Sequence, residues 1–84
     1  MNQTQTLQWI PPEGGPARTI TVTISAPEPL GEMYAAVVDI AGFEEPCTKR
    51  IYGADAEQAA ELASKTVPTL LALRARGGTL TPID

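Results

Sequence analysis

The stretch Thr19-Ile20-Thr21-Val22-Thr23-Ile24 decides the fold. Threonine alternates with β-branched apolar residues without a break, the period-two pattern of a strand with one dry face. On this reading Ile20, Val22 and Ile24 face a core, and Thr19, Thr21 and Thr23 face the other side. Upstream, Leu7, Trp9 and Ile10 form a strand-like start that ends at Pro11-Pro12. Glu13-Gly14-Gly15-Pro16 is then a turn, because glycine supplies positive φ and proline cannot continue a ladder. Downstream, Pro27 and Pro29 read as stops. Met33 to Ile40 follows as a strand with Tyr34, Ala36, Val38 and Ile40 on one face, and Asp39 marks the opposite face as wet. After the turn Gly42 to Pro46, Thr48 to Tyr52 reads as an edge strand on which Lys49 and Arg50 deter further pairing.

A helix comes next. Asp55 is placed to cap it, and Gln58 three residues later completes a capping-box pattern. At 100° per residue Ala59, Leu62, Ala63, Thr66, Leu70 and Leu73 share a face, with Val67 at its margin and Glu57, Glu61, Ser64, Ala72 and Ala75 opposite. Arg74 and Arg76 complement the dipole at the C-terminal end, and Gly77-Gly78 reads as a left-handed cap. Pro68 removes one intrahelical bond and crowds the Ser64 carbonyl, so the expected helix is kinked there, with two shorter helices as the alternative. The expected fold is α+β, a four-stranded antiparallel β-meander with one Pro-kinked α-helix packed on one face. Residues 1–84 make a single domain, with strands at about 5–10, 18–25, 33–41 and 47–52 and the helix at about 55–76.

Tyr52-Gly53-Ala54-Asp55-Ala56-Glu57-Gln58-Ala59 carries a resemblance. With the preceding Gly-Gly turn, the Thr/Ile strand and the hairpin, it resembles a family of small bacterial domains of unknown function. In that family a β-meander leads into a helix opened by Gly-x-Asp-x-x-Gln-Ala. The closing Gly77-Gly78-Thr79-Leu80-Thr81 is similar to the family's ending. The resemblance spans most of the chain and implies a fold but no catalytic residue. The sequence departs from the family pattern at Ala60, where a larger apolar residue is usual, and at Pro68.

Composition narrows the chemistry. The 84 residues hold no histidine, which removes the commonest general base and the commonest zinc ligand together. Cys47 stands alone, so neither an internal disulfide nor a Cys-x-x-Cys pair can form. It reads as a small strand-end residue rather than a nucleophile. Asp55, Glu57 and Glu61 read as a cap and two acids on the polar helix face, and no calcium-type loop is present. Gly14-Gly15 precedes a strand and Gly77-Gly78 follows a helix, so neither suits a phosphate. The expectation is a non-enzymatic protein without cofactor or metal. The polar, uncharged start Met1 to Thr6 lacks a signal-peptide pattern, and no apolar run reaches membrane-spanning length. The expected compartment is the cytoplasm.

Charge is distributed unevenly. Six Lys+Arg against ten Asp+Glu give −4, which argues against direct nucleic-acid binding. Residues 1–48 hold Glu13, Glu28, Glu32, Asp39, Glu44 and Glu45 against Arg18 alone. Such a field steers a basic partner, and Phe43 beside Glu44 and Glu45 adds an aromatic anchor. Glu32, Asp39, Phe43, Glu44 and Glu45 are therefore the candidate partner-binding residues. The expected function is stoichiometric occupation of a protein partner. Its sharpest version is a phage or mobile-element inhibitor, such as an anti-CRISPR protein covering a basic nucleic-acid-binding surface. The alternative is a structural subunit or homodimeric housekeeping module that pairs through the face carrying Thr19, Thr21, Thr23, Ala35 and Val37.

Overall fold

The computed structural model describes residues 3–83. Met1, Asn2 and Asp84, which the single-domain reading includes, lie outside the described residues. The elements run β1 (Gln3–Ile10), β2 (Arg18–Ile24), β3 (Glu28–Leu30), β4 (Met33–Ala41), β5 (Cys47–Gly53), α1 (Ala56–Ala75) and β6 (Thr79–Pro82). The fold is α+β, with one helix on an antiparallel sheet.

The alternating stretch forms the middle of that sheet. β2 pairs antiparallel with β1 on one side, Leu7 opposite Ile20, and with β4 on the other, Val22 opposite Ile40. β5 pairs with the far edge of β4, and the helix packs against β5, β4 and β2. Ile20, Val22, Ala36, Val38 and Ile40 are buried beneath it, as their spacing requires. Ile24, expected in the core, is only half-buried at its margin.

The sheet has six strands rather than the expected four. β3 exists despite Pro29 because it pairs only with β4, Glu28 opposite Ala35 and Leu30 opposite Met33. A residue without an N–H is tolerated on such an edge. β3 continues the line of β2 along β4 after an irregular step of three residues. Across that step Val37 donates its N–H to the Ser25 hydroxyl at 2.9 Å, and the Ser25 N–H donates to the Val37 carbonyl at 2.9 Å. β6 was hidden because it is short and ends in Pro82. It returns after the helix to pair with β1, Trp9 opposite Leu80, so the sheet is a meander closed by a C-terminal strand on its first edge.

The Gly-x-Asp-x-x-Gln-Ala element shows why each of its residues is there. Asp55 Oδ1 accepts from the Gln58 N–H at 2.7 Å, while Gln58 Oε1 accepts from the Ala54 N–H at 2.5 Å. One open donor of the first turn and the N–H of the residue just before the cap are thus satisfied. Gly53 lies so close to the backbone of Ala59 and Gln58 that a Cβ there would collide with both. Ala59 is itself fully buried at this contact between the helix and the strand end.

The helix is rotated from the expected face. Its buried residues are Ala59, Ala63, Val67, Leu70, Leu71 and Ala75, whereas Leu62 and Leu73 are exposed. Leucine dominates an azimuthal average of hydrophobicity, but close contact with the sheet selects alanine. The seam therefore follows Ala59, Ala63, Val67, Leu71 and Ala75 in four-residue steps. α1 runs as one element through Pro68, whose side chain is exposed, so the alternative of two helices does not hold. It ends at Arg76, whose φ of 50° starts the left-handed turn one residue before the glycines.

Candidate functional site

Trp9, one residue before the end of β1, is almost fully buried beneath the close of the helix. The turn after β4 brings Phe43 against it, with ring centroids 4.9 Å apart and planes at 65°, an edge-to-face pair. That contact fixes the Gly42 to Pro46 turn over the helix C-terminus. Around the two rings lies a shallow depression of about 140 Å³ lined by Pro12 and Glu13, by Glu44 and Glu45, and by Arg74 and Arg76. Three separate segments meet here: the turn after β1, the turn after β4 and the last turn of α1.

The depression carries both signs of charge. Arg74 Nη1 stands 3.9 Å from Glu45 Oε2, a loose pair whose carboxylate is open to solvent. Such a pair contributes little to stability and exchanges readily for another partner. Among the described residues Glu13, Glu44 and Arg76 form no ion pair. An aromatic floor with a rim of carboxylates and guanidinium groups suits recognition of side chains.

The five residues singled out in the sequence do not form one surface. Phe43, Glu44 and Glu45 stand together at this depression. Glu32 is exposed in the turn before β4, at the opposite end of that strand, whose length is about 26 Å at about 3.3 Å per residue. Asp39 is exposed on the sheet face away from the helix, where it accepts from the Thr48 hydroxyl at 2.7 Å. Charge counting along the chain included Glu13 among the acids without placing it at a contact, and it missed Trp9, Arg74 and Arg76. The available signal was the chain's one tryptophan directly before a Pro-Pro turn, since a large ring at a strand end needs neighbours.

Cys47 is buried in the core and Asp55 is engaged as the cap. Glu61 pairs with Lys65 at 2.9 Å along the exposed helix side. Among the described residues no three His, Cys, Asp or Glu side chains gather to hold a metal, and no helix is long and apolar enough to cross a membrane.

A single helix over one face of an antiparallel sheet, with a shallow depression of mixed charge at one end, places the chain among small α+β domains. It belongs to the family described as a domain of unknown function, DUF6968, whose model matches residues 4–83. No curated protein and no solved structure matches the chain.

Proposed function

We propose that this protein is a non-enzymatic binding module that acts by occupying a protein partner, with the Trp9–Phe43 depression as its working surface. The observation that carries the reading is the convergence of three chain segments on one aromatic pair, with Glu13, Glu44 and Glu45 at its rim. Glu13 and Glu44 are available to a partner's lysine or arginine, and the loose Arg74–Glu45 pair can open to admit one. The inhibitor reading, with a basic nucleic-acid-binding surface as target, rests on the same acids in a narrower form. A contact centred on one end of the molecule replaces an acidic array along the meander. Electrostatic complementarity of this kind sets partner choice and encounter rate more than raw affinity.

The test is capture from native lysate with immobilised wild-type protein, a Glu44→Lys/Glu45→Lys variant and a Glu57→Lys/Glu61→Lys variant of equal net charge. A partner held in fixed stoichiometry by the wild type and the helix variant, and lost by the turn variant, is expected. Its retention should also weaken as salt rises, because exposed charges are screened beyond about 8 Å at physiological ionic strength. Equal loss in both variants would reduce the effect to net charge. Retention by both would remove the depression from the contact.

A further inference from the structure

The helix covers one face of the sheet and leaves the other open along its whole length. Register shows what stands on that open face. Thr4 lies opposite Thr23 and Thr6 opposite Thr21 across β1 and β2, and Thr48 lies opposite Asp39 across β5 and β4. Towards one end, Leu30 pairs with Met33 and Ala35 with Tyr52. Leu30, Met33 and Tyr52 are each about half exposed, at 51%, 46% and 45%. At the other end stands Ile10, 43% exposed.

Charge is thinner on this surface than on the rest of the exposed chain. The chain has sixteen charged residues, ten acidic and six basic. By strand alternation only Glu28, Asp39 and Arg50 of the paired strand residues project from the open face. A face that served only to keep the protein in solution would carry more. Charge-depleted, with apolar side chains and both signs still present, it resembles the core of an interface.

We propose that the open face is the interface of a homodimer, in which two copies pack sheet against sheet with their helices outside. The occupant follows from the charge. Two chains of −4 each can associate only through a face that does not repel its own copy, and an isologous contact sets each face against itself. A basic partner would instead seek the acids, most of which lie elsewhere. Size agrees as well. The molecule measures 46 × 22 × 17 Å, so its broad side is bounded by about 1,000 Å², against the roughly 800 Å² that each partner of a stable complex buries. The threonine methyls would fill the gap between sheets stacked about 10 Å apart, and the hydroxyls can bond to one another across it. A thin two-layer chain thereby gains a second core.

The test is the solution mass of the full chain, by light scattering and sedimentation, from micromolar to millimolar concentration. The wild type should show twice the chain mass. Thr21→Arg, at the centre of the face, should raise the dissociation constant by roughly tenfold or more. Leu73→Arg, on the outer side of the helix, should leave the mass unchanged, and so should the Glu44→Lys/Glu45→Lys variant, which separates this contact from the Trp9–Phe43 depression. Circular dichroism checks each fold. If Thr21→Arg fails to fold, Tyr52→Arg on the edge strand reads the same contact. A wild type that stays monomeric at every concentration overturns the proposal, as does a dimer that survives both face variants.

Discussion

Trp9 donates its indole N–H to the main-chain carbonyl of Ala75, 3.1 Å away and 66 positions along the chain. The same carbonyl accepts the Gly78 N–H at 2.8 Å. Gly78 passes so near Trp9 Nε1 and the Ile10 carbonyl that a Cβ would have no room there. The end of the helix, the end of β1 and the start of β6 are thus locked at one point, beside the candidate site.

Trp9→Phe keeps a ring in the core but removes the indole donor. Stability should fall by about 1–3 kcal/mol, the cost of a lost buried hydrogen bond together with a smaller ring. The substitution removes the chain's one tryptophan, so urea unfolding should be followed by circular dichroism. An unchanged midpoint would mean that the Trp9–Ala75 bond contributes nothing.

The rotated helix face gives a matched pair. Leu71→Ala should cost roughly 2–5 kcal/mol because Leu71 is buried against the sheet. Leu73→Ala, at a residue 68% exposed, should stay within about 0.5 kcal/mol of the wild type. Thermal melting of both variants decides the matter. The reverse order of losses would restore the face expected from average periodicity.

The helix-opening motif makes a third prediction. Gly53→Ala forces a methyl group into the backbone of the first helical turn and should destabilise by about 1–3 kcal/mol. Asp55→Ala removes one capping acceptor and should cost about 1 kcal/mol. Denaturant titration of each variant measures both values. If Asp55→Ala kept full stability yet lost a partner, the aspartate would be a binding residue and not a cap.

Much of the fold was legible in the sequence wherever the decisive interaction is local. The Thr19 to Ile24 alternation determines a two-faced strand by itself, because neighbouring side chains on an extended backbone must point apart. Asp55 and Gln58 announce the helix start, because a capping box closes within four residues. The turn carrying Phe43, Glu44 and Glu45 was legible for the same reason. Only the tertiary structure decided the rest. β3 and β6 are too short and too proline-marked to signal themselves, and they exist because β4 and β1 offered them an edge. The helix face turned to seat alanines where two backbones meet, a choice that needs the sheet in place. Arg74 and Arg76 came to stand over Glu44 and Glu45 because the helix crosses back to the end where Trp9 waits. A local pattern holds the energy of residues a few positions apart, whereas the candidate site is made by contacts between segments that meet only after the chain has folded.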